Sequence, residues 1–307
     1  MIGVVGDIRR VVPETLRGRF ELIIFDWDGT AVPDRARAVP QLNAAMASLL
    51  DAGIWLAPVT GTSLDHLERQ SIRKIPPPSR RRLRVCTNRG SEVWSYDAAG
   101  ERVALQQRIA SREENAMLTR AAERLRAWLA EHGVESRVVY DRLNRRKVDV
   151  MPLPEWRDPP KAQMSALIAA TTRRLQAAGI ERIGDVMRLA SEIARDCGLA
   201  DPRVTSDGKY VEIGLTDKSD SMAWLFGHVV RPNAIAAEAI LIVGDEFGDV
   251  GGFAGSDERM ITPETSGVRL VSVGREPNGV PAGVLHLPGG PDAFLSMLQW
   301  QLALRTS

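Results

Sequence analysis

Leu22-Ile23-Ile24-Phe25-Asp26-Trp27-Asp28-Gly29-Thr30 decides how this sequence is to be read. Its opening apolar residues make a short run that fits a strand buried on both faces, as in a parallel sheet. Asp26 and Asp28 lie two apart on an extended chain, so they project to one side of the strand's C-terminal end while Trp27 points away. Gly29 permits the sharp exit that follows. Ligands of open α/β sheets bind beyond such strand ends, which places this pair of carboxylates where chemistry is done.

Outward from this segment, residues 54–59 and 240–243 repeat the pattern of an apolar run closed by a polar or glycine-containing turn. Between the first two runs, Leu42, Ala45, Met46, Leu49 and Leu50 recur at helical spacing and stop at Gly53, completing a β-α-β unit. The expectation is a Rossmann-like, doubly wound α/β core. The rhythm then changes. A hairpin over residues 84–96 turns through Thr87-Asn88-Arg89-Gly90, an amphipathic helix covers 113–132, strands cover 137–140 and 148–151, helices (or a helix and a strand) cover 161–178 and 183–197, and a strand returns at 210–213. This reads as an α+β module, residues 101–208, inserted into a core made of residues 1–100 and 209–307.

Composition narrows the function classes. The 40 basic and 39 acidic residues of the 307 leave a net charge of +1, so no global field draws nucleic acid or an anionic membrane. Cys86 and Cys197 stand alone, which argues against a disulfide framework or thiolate metal site, fits a reducing compartment and reads as two buried hydrophobes. Residues 1–20 mix charge with apolar residues and lack a signal-peptide core, and the apolar stretch 234–243 is far shorter than the ~20 residues that span a bilayer. A cytoplasmic protein is expected. His66, His132, His228 and His286 share no metal-ligand spacing.

A phosphate monoester resists attack by a carboxylate because both are anionic, so such a site needs a metal ion or fixed cations. Mg²⁺ takes hard oxygen ligands, and Asp245 in Gly244-Asp245-Glu246-Phe247-Gly248-Asp249 follows the third apolar run. Thr60, at the end of the second run, can donate a hydroxyl to a phosphoryl oxygen, and Lys218, ahead of a helix, can offset its charge. Each has a plainer reading: Thr60-Gly61-Thr62 as a helix cap, Lys218 as a surface lysine.

Asp26 to Thr30, Thr60, Lys218 and Gly244-Asp245 in this order resemble the haloacid dehalogenase superfamily of phosphohydrolases. A module placed after the second motif is similar to its Cof-type branch, which includes sugar phosphatases and phosphomannomutases. Asn88-Arg89-Gly90 with its hairpin, and the return Ser206-Asp207-Gly208-Lys209-Tyr210, are also similar to that branch. The resemblance implies that Asp26 is the nucleophile and a metal ligand. It makes Asp28 the acid/base, with its backbone carbonyl on the metal. Thr60, Gly61 and Lys218 would hold the phosphoryl group, and Asp245 would complete the Mg²⁺ shell. For the second acid of the last motif there are two candidates. Asp249 has the common spacing; Asp257, in Ser256-Asp257-Glu258-Arg259-Met260, better matches the family's order of elements and is preferred.

Two basic clusters remain. Residues 75–84, with three prolines and Arg80, Arg81 and Arg82, read as a solvated loop without regular structure. Within the module, Arg142, Asn144, Arg145, Arg146 and Lys147 either grip an acidic or polyhydroxylated leaving group or protect a strand edge by charge. The expectation is a Mg²⁺-dependent phosphatase for a small phosphorylated metabolite, with a phosphomutase and a non-catalytic sugar-phosphate sensor as the alternatives.

Overall fold

The computed structural model describes residues 13–157, 159, 163–250 and 252–306. The expectations for residues 1–12 and for the first two residues of the helix expected at 161–178 lie outside them.

The chain opens with β1 (Leu22–Phe25), α1 (Pro40–Asp51), β2 (Trp55–Pro58) and α2 (Leu64–Gln70). β3 (Val85–Thr87), β4 (Glu92–Tyr96) and β5 (Arg102–Gln107) follow. The module comprises α3 (Arg112–Glu131), β6 (Arg137–Arg142), β7 (Arg145–Asp149), α4 (Met164–Ala177), α5 (Ile183–Asp196), β8 (Arg203–Ser206) and β9 (Tyr210–Gly214). α6 (Lys218–Leu225), β10 (Ile240–Gly244), β11 (Arg269–Ser272), β12 (Val284–His286) and α7 (Gly290–Thr306) complete the chain.

The core is a parallel sheet of five strands in the order β12-β11-β10-β1-β2. β1 is buried along its whole length, which its unbroken run of apolar residues demands, and it lies between β10 and β2 with Phe25 beside Val243 and Pro58. Helices cover both faces. Phe25, Met46, Leu49 and Phe294 pack on one side, and Ile24, Val59, Met222 and Phe247 on the other. The crossover from β1 back to β10 reverses direction beside Asp26, which makes the β1–β10 boundary the natural crevice of the sheet.

β3, β4 and β5 form an antiparallel sheet attached to the β2 edge by bridges at Leu56–Leu83 and Val59–Cys86. The module has an antiparallel sheet in the order β6-β7-β9-β8, with Leu118, Leu125, Val186 and Ile193 of α3 and α5 packed on Val148, Val211 and Ile213. A Rossmann-like core with an inserted α+β module is therefore what the chain forms. The β4–β5 and β8–β9 pairings run across the expected divisions at 100/101 and 208/209, and residues 108–111 and 215–217 connect the module's elements to those of the core. β8 was not foreseen in the sequence.

The proline segment also differs from expectation. Pro77–Arg82 is a short 3₁₀ helix, and Arg80 is 8% exposed. Its guanidinium donates to the carbonyls of Ile75 at 2.8 Å, Gly100 at 3.0 Å and Arg73 at 3.2 Å. Carbonyls freed by a proline-interrupted path need donors, and one arginine supplies three of them. Both cysteines are buried as expected, and burial pushes the Cys86 thiol up to about 12.

Candidate active site

Asp26 is the first residue beyond β1, its amide donating to Val243 O at 2.9 Å. The chain then turns back, with the amides of Ala31 and Val32 both on Trp27 O at 3.0 Å. Trp27 is fully buried on the opposite side and bonds Gln70 Oε1 at 3.0 Å, as the strand alternation requires. Gly29 has φ +100°, and a Cβ there would collide with the Asp245 carboxylate. Thr30 Oγ1 donates to Asp245 Oδ1 at 3.0 Å, so the turn after β1 is fitted to the end of β10.

Lys218 joins residues far apart in sequence. Its Nζ lies 2.6 Å from Asp26 Oδ1, across 192 positions, and 2.5 Å from Asp257 Oδ1. Asp217 caps the start of α6, accepting from Ser219 N at 2.8 Å, and thereby fixes where Lys218 begins. The ammonium is 3% exposed; burial pushes its pKa down, but Asp257 and Asp26 more than offset this and hold it above the usual lysine value.

Asp257 is fully buried, and its second oxygen accepts the amides of Asp245 at 2.8 Å and Glu246 at 2.9 Å. One carboxylate oxygen from each of Asp26, Asp245 and Asp257 lies within 4.8 Å of the others. Asp249 does not join them: it is exposed, and its carboxylate accepts the Gly252 amide at 2.6 Å within its own loop. Among the two acids considered for this position, the structure brings in Asp257.

Asp28 stands at the rim, its Oδ2 accepting from Arg35 at 3.0 Å while its Oδ1 is buried without a hydrogen-bond partner. Thr60 follows β2, one strand from Asp26, is 1% exposed, and accepts the Thr62 amide at 3.1 Å, which leaves its hydroxyl proton free to donate.

Of the module's basic residues, alternation along β7 sends Arg145 and Lys147 one way and Arg146 the other. Arg146 bonds Thr119 Oγ1 at 3.2 Å and Asn115 Oδ1 at 3.1 Å on α3, so it belongs to the module's interior and not to the site. Arg145 Nη2 donates to Gly61 O at 2.9 Å, tying the module to the loop after β2. Lys147 Nζ lies 2.6 Å from Glu212 Oε1, while Arg89 Nε and Arg145 Nε lie 3.0 and 3.3 Å from its Oε2. Burial pushes the Glu212 carboxyl up, but Arg89, Lys147 and Arg145 outweigh it and hold the group well below the usual carboxylate range. Burial pulls Arg145 down to about 10 in spite of Glu212.

Two supporting residues, Glu212 and Glu276, escaped the sequence reading, and Asn144, placed there in the basic cluster, has a different part. Glu212 sits between Val211 and Ile213, and an acid inside an apolar strand signals a buried cation partner. Asn144, with φ 57°, accepts from Ala110 N at 2.7 Å and donates to Ser91 Oγ at 2.9 Å and Arg108 O at 2.5 Å, so it fastens the module's entry strand to the core. Glu276 accepts the amides of Phe247 at 2.8 Å and Gly248 at 2.9 Å and holds the turn after Asp245; no local pattern marks it.

The donor set suits a hard divalent cation. Asp26 and Asp245 present carboxylate oxygens toward a common point, and the absence of a side chain at Gly29 keeps the approach to Asp245 open. Asp257 already has both oxygens engaged by Lys218 and by the two amides, so it orients the ligands and is not itself the best of them.

No family model matches the sequence, and no curated protein is similar to it. Solved structures do match. The chain is similar to the IMP-nucleotidase of Plasmodium falciparum, at 14% identity and a TM-score of 0.59 over 95% of this chain and 72% of the other. It is also similar to the trehalose-6-phosphate phosphatase of Aspergillus fumigatus, at 15% identity and a TM-score of 0.56 over 97% of this chain and 98% of the other. By the path of its backbone this chain shares the fold of these two proteins, inserted module included.

Proposed function

We propose that the chain is a Mg²⁺-dependent phosphatase of the haloacid dehalogenase superfamily, hydrolysing a small phosphate monoester through a phosphate transiently carried by Asp26. The convergence of Asp26, Lys218, Asp257 and Asp245 at the ends of β1, β10 and α6 carries the proposal, since only folding brings these residues together. The two structural neighbours, a nucleotidase and a phosphatase by name, support it.

Asp26 attacks phosphorus, and the bond to the leaving oxygen breaks as that oxygen takes a proton from Asp28. Asp28 Oδ1, buried and unpartnered, is the atom left for this transfer. Water then attacks the phosphorus, gives its proton to Asp28, and the bond to Asp26 breaks to release inorganic phosphate. Thr60 and Lys218 hold the phosphoryl oxygens through both displacements. Asp26, Asp245 and the Asp28 carbonyl would hold Mg²⁺, which supplies charge neutralisation when bound. The module acts as a cap, with Arg145, Lys147 and Glu212 above the leaving group; a sugar phosphate, rich in hydroxyls, suits that mixture of donors and acceptor.

Asp26→Asn should reduce Mg²⁺-dependent turnover of an aryl phosphate at least about a thousandfold while circular dichroism stays that of the wild type. Undiminished turnover in a folded variant ends the proposal.

A further inference from the structure

At the seam between module and core, away from the acidic site, lies a cavity of about 310 Å³. Arg188 and Arg195 of α5 and Arg203 of β8 line it from the module, and Arg259 lines it from the core, two residues beyond Asp257. Four guanidiniums face two lining carboxylates, Asp201 and Asp217, and Arg188 is also paired with Asp185 at 2.6 Å, which leaves an excess of one positive charge. None of Asp26, Thr60, Lys218, Asp245 and Asp257 is among the lining residues.

The arginines open to solvent, Arg188 and Arg259 being 67% and 45% exposed, and they are incompletely paired with protein groups. Arg195 makes no side-chain bond among the described residues, and Arg203 Nε is buried without a hydrogen-bond partner although its Nη2 pairs with Asp201 at 3.2 Å. Arg259 Nε is 3.8 Å from Asp217 Oδ2, beyond hydrogen-bond reach, and that carboxylate's Oδ1 is already used by Ser219. Only Arg188 is closely held, by Asp185 at 2.6 Å. A buried guanidinium nitrogen without an acceptor is costly, and planar forks of this kind match phosphate oxygens.

We propose that this cavity is a second binding site, for a small anion carrying more than one phosphate group. A monoatomic ion cannot span guanidiniums set around such a volume, whereas linked phosphate groups can reach several of them at once. Because the contacts come from both bodies, the bound anion favours one placement of the module over the core, and through Arg259 it acts on the turn that carries Asp257.

Isothermal titration of the whole chain with inorganic tripolyphosphate in metal-free buffer tests this. The double variant Arg195→Gln/Arg203→Gln should bind about tenfold or more weakly than the wild type, with its thermal midpoint unchanged, whereas Lys218→Met should bind as the wild type does. No binding by the wild type, equal affinity in the double variant, or loss confined to Lys218→Met overturns the proposal; the last would place the anion in the acidic site.

Discussion

Two buried charged clusters border the seam between sheet and module, and they are built in opposite senses. At the strand ends, Asp26, Asp245 and Asp257 gather around one ammonium, Lys218. Beside the module sheet, Arg89, Arg145 and Lys147 gather around one carboxylate, Glu212. A buried cluster with surplus charge is stable only if something completes it. Under the proposed function the first would be completed by a cation and the second, where Arg145 Nη1 is buried without a partner, by an acceptor-rich group. A phosphate ester bound with its metal presents both.

Removing the central opposite charge from each cluster breaks the comparison most directly. Lys218→Met should cost the larger effect, a fall in kcat of at least about a thousandfold, roughly 4 kcal/mol of barrier, measured by steady-state kinetics. Activity within tenfold of the wild type would take Lys218 out of the site. Its mirror, Glu212→Gln, leaves three cations with only Asp207, 3.8 Å from Lys147 Nζ, to offset them and should lower stability by about 3 kcal/mol in urea unfolding.

The same residue sharpens the comparison through pH. The Glu212 carboxyl is held below its unfolded value by its cation neighbours, so the stability it contributes is complete above about pH 4.3 and declines as the pH falls beneath that. The wild type should therefore lose stability more steeply on acidification than Glu212→Gln; parallel curves would mean that the three cations do not act on it. The smallest effect is expected at the fastening between the two regions. Asn144→Gly keeps the positive φ but deletes the bonds to Ala110, Ser91 and Arg108, and should cost about 1–3 kcal/mol in the same unfolding assay.

The acidic cluster was largely legible in the sequence because each member sits in a segment with a local signature: Asp26 after an apolar run, Asp245 after another, Lys218 ahead of a helix. The choice of Asp257 over Asp249 rested on the order of elements, against the spacing, which favours Asp249. The cationic cluster was half legible. The run Arg145-Arg146-Lys147 announced charge, but which side chain faces the core depends on the register of β7 against β9, and that register is set by burial of Val148 and Val211. Arg80 was misread because charge and proline together suggest solvent, whereas the carbonyls it serves are supplied by segments that only the fold brings near. Glu276 has the same character: its partners at Phe247 and Gly248 are nearly thirty positions away, |i−j| 29 and 28.

The segment between Asp245 and Asp257 has a mechanical consequence. Its ends are pinned together by the Asp257 carboxylate, and its tip inserts Phe253 and Val250 among the module's apolar side chains while Arg182 lies over Gly252. With the crossings at residues 108–111 and 215–217, the module is thus tethered at three points. A body held at two points swings freely; a third, off the line of the other two, leaves it only small displacements until that point lets go. Any larger rotation of the module away from the core therefore requires withdrawing two apolar side chains from their nest.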